Sequence, residues 1–221
     1  MTTAPHIDTN LNTKALKSLH RHVQKAFPRL DCTLSNVREL TIAAPASQLV
    51  AVLTFLREDE ACHFTQLMDV CGVDYLGYQP AQPKRFAVAY HLLSLTHNQR
   101  IRVKVWLDDG ESVPTTTGLY PSAGWFERET YDMYGIVFEG HPDLRRLLTD
   151  YDFVGFPLRK DFPLQGHVEV YYDVEEKRVA YKPVDLPQNF RHFDKVSEWQ
   201  GITGNAGLAD SDNTFSNEEF K

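Results

Sequence analysis

A chain of 221 residues with 42% hydrophobic and 24% charged side chains is long enough for one substantial core with an appendage, and this ordinary globular balance excludes disorder over most of its length. The formal net charge of −7, with no basic block anywhere, excludes nucleic acid as the main partner, because phosphate binding needs a concentrated Lys/Arg surface. No apolar run approaches the roughly eighteen residues of a spanning helix, since even F-A-V-A-Y-H-L-L-S-L is interrupted by His91.

The opening M-T-T-A-P-H-I-D-T-N has neither a basic region followed by an apolar core nor the arginines of a transit peptide. A bacterial protein working on the cytoplasmic side is expected, with residues 1–12 disordered. Over 11–27, Leu16, Leu19, Val23, Ala26 and Phe27 share one stripe and Pro28 closes the segment, which predicts a first helix. R-E-L-T-I-A-A alternates as a strand, and Pro45 and Ser47 stand as start signals before the dense apolar helix Q-L-V-A-V-L-T-F-L. A strand is expected near 67–71. The strongest pattern follows: Phe86, Val88, Tyr90 and Leu92 alternate, then Ile101, Val103, Val105 and Leu107, with T-H-N-Q between them and Arg102 and Lys104 on the polar face. This predicts a hairpin and, with the two helices, an α+β fold whose mostly antiparallel sheet is packed by helices. The domain is expected to span 13–140.

W-F-E-R-E-T-Y-D-M-Y-G closes that domain with a helix over 122–134, started near Ser122 and ended by Gly135. At 100° per residue Trp125, Phe126, Thr130 and Met133 share a face, with Glu129 in its middle. Arg128 and Asp132 stand one turn apart and are expected to pair, whereas Glu127 projects to the opposite side. A carboxylate on an apolar face must be paired or must titrate upward. Glu129 is therefore either a general acid, with Glu127 or Asp132 as second carboxylate, or the buried partner of Arg145, Arg146 or Arg159. The structural reading is preferred, because no nucleophile or metal site accompanies these carboxylates and arginines are plentiful downstream.

After residue 140, Pro142, Pro157, Pro163, Pro183 and Pro187 forbid long helices, leaving one short helical candidate at P-D-L-R-R-L-L-T. Tyr171, Tyr181, Phe190, Phe193 and Trp199 nevertheless need cover, so 141–202 is expected to be an extended, largely irregular tail wrapping a partner. The polar, acidic stretch 203–221 is expected to be disordered. Cys32, Cys62 and Cys71 stand in no metal-ligand spacing and are expected to be buried reduced thiols; His20 and His22, two apart on a helix, are expected on its solvated surface. The chain holds no dinucleotide fingerprint, phosphate loop, H-E-x-x-H or nucleophile elbow, so no catalytic, cofactor-binding or metal residue is assigned.

The stretch E-R-E-T-Y-D-M-Y-G-I-V-F-E-G-H-P-D-L-R-R-L-L resembles the signature of the 30 kDa subunit of respiratory complex I, whose bacterial members are the C-subunits of NADH-quinone oxidoreductase. The likeness continues through G-F-P-L-R-K-D-F-P and R-V-A-Y-K-P-V-D-L-P-Q-N-F-R-H-F-D, and upstream through F-T-Q-L-M-D-V-C-G-V-D-Y. It implies a subunit without its own cofactor in the peripheral arm of the complex, beside the 49 kDa-type D-subunit, the cluster-bearing B-subunit and the ferredoxin-like I-subunit. NADH, FMN, iron–sulfur clusters and quinone would bind in neighbouring subunits, and the chain would sit peripherally on the cytoplasmic side of the bacterial inner membrane. Its interface and structural signature would comprise Glu127, Arg128, Glu129, Asp132, Gly135, His141, Pro142, Arg145, Arg159, Asp161, Pro163, Tyr181, Phe190, Arg191 and Phe193. The tail departs from relatives at Lys195 and Glu198, where an apolar residue and a proline are usual. Related subunits occur in membrane-bound hydrogenases and plastoquinone reductases; a stand-alone hydrolase using Glu129 and Asp132 is the alternative of another class.

Overall fold

The computed structural model describes residues 9–34 and 39–186. Its first helix, α1 (Thr9–Ala26), carries most of the expected stripe: Leu16, Leu19 and Val23 are buried and Phe27, just past its end, packs on the core, while Ala26 is exposed. The sequence predicts disorder through residue 12, but the chain is helical from Thr9; residues 1–8 lie outside the described residues. A strand too short to show a pattern, β1 (Asp31–Leu34), pairs antiparallel with β2 (Leu40–Ala43). Pro45 then stands in extended conformation at the N-cap of α2 (Ala46–Glu58), which turns Leu49, Val52, Leu53 and Leu56 inward.

β3 (Gln66–Asp74), β4 (Phe86–Ser94) and β5 (Gln99–Leu107) complete a five-stranded sheet in the order β1-β2-β5-β4-β3, antiparallel except between β2 and β5. The predicted hairpin is β4–β5, in which Val88 faces Val105, Tyr90 faces Val103 and Leu92 faces Ile101. These six join Val23, Leu53 and Leu56 in one core, where each fully buried aliphatic side chain contributes roughly 1.5–3 kcal/mol. Lys104 takes the other face, its ammonium 4.6 Å from the Trp106 ring centre. The expected α+β architecture with a mostly antiparallel sheet is the one observed.

β6 (Ser112–Pro114) and β7 (Val137–Glu139) pair in parallel and bracket α3 (Ala123–Tyr134). That helix lies along β3: the Thr130 hydroxyl donates to the Val70 carbonyl at 3.1 Å, and the Tyr134 ring covers Gly72, where a Cβ would stand 2.5 Å from the ring. Gly135, at φ 75°, ends α3 in the left-handed conformation and donates its N–H to the Tyr131 carbonyl.

The boundary expected at residue 140 falls later. Described residues up to Leu164 form one compact unit, and those from Gln165 form a second. The segment 141–164 therefore belongs to the first unit, and P-D-L-R-R-L-L-T is not helical. The physical reason is that Arg128 and Asp132 of α3 take the backbone carbonyls and N–H groups of 145–149, which a helix there would pair internally. In the second unit β8 (Val168–Asp173) and β9 (Arg178–Pro183) form an antiparallel hairpin, closed by the Val184 N–H donating to the His167 carbonyl at 3.3 Å.

Candidate functional site

α3 carries two fully buried carboxylates, Glu127 and Asp132, and each receives a dense set of donors. Asp132 Oδ2 accepts three consecutive backbone N–H groups, from Leu147 at 3.0 Å, Leu148 at 2.6 Å and Thr149 at 2.9 Å. Its Oδ1 accepts the Thr149 hydroxyl at 2.5 Å and Arg146 Nη1 at 2.9 Å. Burial alone would push this carboxyl up; the Thr149, Arg146 and Leu148 hydrogen bonds outweigh it and hold the group well below the usual carboxylate range. An ionised, saturated carboxylate cannot serve as a general acid.

Arg146 continues the network. Its Nη2 donates to the carbonyls of Phe153 at 2.9 Å and Gly155 at 3.0 Å, and its guanidinium lies 5.6 and 5.3 Å from the Phe153 and Phe156 ring centres. Arg128, one turn before Asp132, does not pair with it as expected. It donates instead to the carbonyls of Arg145 at 3.1 Å and Arg146 at 3.0 Å. One face of α3 thus grips the following chain by its carbonyls through Arg128 and by its N–H groups through Asp132.

Glu127 closes the other side. Its Oε1 accepts the backbone N–H and the hydroxyl of Thr116, both at 2.7 Å, and its Oε2 accepts the Thr115 hydroxyl at 2.5 Å. The buried His141 ring lies 4.0 Å away; its Nε2 donates to the Gly124 carbonyl at 3.1 Å, while Nδ1 accepts the Asp143 N–H at 3.0 Å. This pins the turn after β7 to the first turn of α3.

Glu129 corrects the sequence reading: it is exposed and has no hydrogen-bond or ion-pair partner among the described residues. Trp125 is 62% exposed, its ring stacked by Arg128 at 5.2 Å. Of the expected face, Thr130 and Met133 are buried and Phe126 packs on the core, but Trp125 and Glu129 are not buried, and Ala123 and Glu127 take the buried positions instead. The two-carboxylate alternative fails with it, because Glu129 and Asp132 do not converge and Asp132 is fully occupied.

Further along, Arg159 donates to the Tyr134 carbonyl at 2.6 Å and pairs with Asp109 at 3.0 Å, its guanidinium lying between the Phe86 and Phe156 rings. Asp161 pairs with Arg85 at 2.9 Å, and Arg85 also holds Asp74, which accepts the Lys160 N–H. Phe156 packs on Gly135, where a Cβ would meet its ring at 2.5 Å. Arg145 is exposed and pairs with Asp143 at 3.0 Å, and Pro142 and Pro163 are exposed. Tyr181 lies on β9, in the second unit. Phe190, Arg191 and Phe193, with Lys195, Glu198 and the stretch 203–221, lie outside the described residues. Sequence reasoning leaves Thr115, Thr116 and Thr149 unmarked and does not separate Arg146 from its neighbour Arg145. The T-T-T run at 115–117 is the one available signal.

Fold and site together define an α+β module whose buried charges are consumed in fastening its own chain. Residues 42–168 match the family described as respiratory-chain NADH dehydrogenase, 30 Kd subunit. The chain is 53% identical over 191 residues to the NADH-quinone oxidoreductase C-subunit of Paramagnetospirillum magneticum, covering 86% of this chain and 94% of that protein. It is 57% identical to the C-subunit of Sinorhizobium medicae, over 86% of this chain and 92% of the relative. A solved trypsin-resistant fragment of Nqo5 superposes with a TM-score of 0.52 at 33% identity, covering 59% of this chain and 99% of the fragment. The chain belongs to the 30 kDa subunit family of respiratory-chain NADH dehydrogenase.

Proposed function

We propose that this subunit is a scaffold in the peripheral arm of proton-translocating NADH-quinone oxidoreductase and carries no redox cofactor of its own. In this reading it rests against the 49 kDa-type subunit, the cluster-bearing B-subunit and the ferredoxin-like subunit, on the cytoplasmic side of the bacterial inner membrane. Electrons pass from NADH through FMN and iron–sulfur clusters to quinone in other subunits, whose relative placement this chain maintains. Among the described residues no helix is long and apolar enough to cross a membrane, which is compatible with peripheral attachment.

The observation that carries the scaffold role is the loop that Asp132 and Arg146 fasten. Leu148, Tyr151 and Val154 stand 63%, 72% and 83% exposed on a backbone held at both ends by buried charges. Apolar side chains presented on an already ordered backbone suit a stable interface, because little further conformational entropy is lost on docking. A full-length chain carrying Tyr151→Asp and Val154→Asp together should melt like the wild type when isolated, since neither side chain is buried. In cells, the same double variant should lose the assembled peripheral arm on a native gel and lose NADH-dependent quinone reduction. Wild-type assembly by this variant would refute the loop as the attachment device.

A further inference from the structure

We infer that His22, Asp59 and Cys62 form a binding site for one divalent cation of the zinc class, which clips α1 to the turn after α2. Spacing along the chain conceals this site: the ligands lie on a helix, at a helix end and in a turn, and the sequence pattern assigns no metal at all. In space, one ligand atom from each lies within 4.8 Å of the other two.

The three donors are held before any cation arrives. Cys62 is fully buried, while the His22 and Asp59 side chains are 40% and 25% exposed. The turn that carries Asp59 and Cys62 is fixed by the N–H groups of Cys62 and His63 donating to the Asp59 carbonyl and by that of Phe64 donating to the Leu56 carbonyl. The Asp59 carboxylate accepts the Ala61 N–H at 2.9 Å, and the His22 ring is oriented by stacking on Phe55, with centres 5.8 Å apart. His22 Nε2 and Asp59 Oδ1 stand 2.9 Å apart. Four ligands around a tetrahedral zinc, bonded at about 2.0–2.3 Å, lie about 3.3–3.8 Å from one another, so this pair has to open by roughly half an ångström. His22 also lines a cleft of about 280 Å³ with Ser18, Ala61, His97 and Gln99, which opens one side of the ring to solvent.

The Cys62 thiol hydrogen-bonds the Asp59 carboxylate, which also accepts from His22, so all three donor groups already converge on one point. The mixed nitrogen, oxygen and sulfur set selects a borderline-soft ion; calcium and magnesium take oxygen ligands. A single cysteine cannot hold an iron–sulfur cluster. A zinc-class ion takes cysteine as the thiolate, so binding displaces the Cys62 thiol proton to solvent. The two negative ligands then balance the two charges of the cation.

Cobalt(II) titration of the full-length chain, freed of metal by chelation, tests the site. One equivalent should produce a sulfur-to-cobalt charge-transfer band with tetrahedral ligand-field absorption, release one proton, and be displaced by zinc. Cys62→Ser should abolish the band and Cys71→Ser should leave it unchanged. Where Cys62→Ser fails to fold, His22→Gln, at a half-exposed side chain, decides by losing the one-equivalent end point. Saturation without a thiolate band, or a band that survives in both Cys62→Ser and His22→Gln, would overturn the assignment.

Discussion

Beneath the sheet, Leu53 and Leu56 of α2 meet Val103 and Val105 of β5 through apolar surface, and any one side chain contributes through its area and packing. The segment 141–164 lies against α3 on another principle. Its backbone carbonyls and N–H groups are taken by Arg128, Asp132 and Arg146, its own Arg159 reaches back to the end of α3, Phe156 covers Gly135 and Leu144 packs against the core. Loss in the first region is graded, because a shortened side chain leaves a cavity that its neighbours partly fill. Loss in the second falls on whole sets of groups, because removing one charge strands its partners in a dry site.

The sharpest way to break this comparison is to remove half of the strap. A chain ending after Leu164 keeps every contact of the first unit and should unfold in one cooperative transition. A chain ending after Tyr151 loses both carbonyl acceptors of Arg146 Nη2, the Phe156 ring and Arg159 together. It should be largely unfolded at 25 °C by circular dichroism, although the whole sheet and all of α3 remain in its sequence. Equal stability of the two would show that α3 does not depend on its strap.

Point substitutions compare the regions on one scale. Asp132→Ala leaves Arg146 and three backbone N–H groups without their acceptor and should cost about 3–5 kcal/mol in urea unfolding, as for other broken buried pairs. Leu53→Ala, in the apolar core, should cost about 2–5 kcal/mol. The overlap of these ranges makes pH the discriminating variable. The Asp132 carboxyl is held below its ordinary value, against burial, by hydrogen bonds from Thr149, Arg146 and Leu148; that of Asp74 is likewise held down, against burial, by Arg85 and by the N–H groups of Lys160 and Leu76. In acid the unfolded chain therefore binds more protons than the folded one. The stabilisation is complete above the unfolded value of about 4 and is lost as pH falls through the folded values. The wild-type urea midpoint should drop steeply below about pH 4, and Asp132→Asn should flatten that drop, whereas Leu53→Ala should lower the whole curve without changing its shape.

What is legible in the sequence follows the same division. The β4–β5 hairpin announces itself because Phe86, Val88 and Tyr90 alternate against Ile101, Val103 and Val105, and burial of one sheet face demands that period. The end signals at Ser122 and Gly135 bound α3 correctly. Its buried face is only half legible: Thr130 and Met133 are placed on it, but Glu127 occupies a position where a pattern reader looks for leucine. Nothing in residues 147–149 marks three successive N–H groups aimed at one carboxylate, because every residue except proline carries that donor. The His22–Asp59 contact joins positions 37 apart through the packing of α1 beside α2, which no local spacing encodes.

Glu129 gives the smallest effect and the finest test of where α3 faces inward. On the sequence pattern it occupies the buried face and requires an arginine, and Glu129→Gln would then strand a guanidinium. The fold turns it outward one helical turn from the exposed Trp125, and the arginines downstream are engaged elsewhere: Arg146 with Asp132, Arg159 with Asp109 and Arg145 with Asp143. In the isolated chain Glu129→Gln should therefore change stability by no more than about 0.5 kcal/mol, the usual range for surface substitutions. The control is Glu127→Gln, two residues earlier. There the oxygen acceptors for Thr116 would be partly replaced by an NH₂ group that can only donate, and a loss of roughly 1–3 kcal/mol is expected. Thermal melts of the two variants, run beside the wild type, read the orientation of α3 directly. A large loss at Glu129 with a small one at Glu127 would mean that the helix is rotated from the position described.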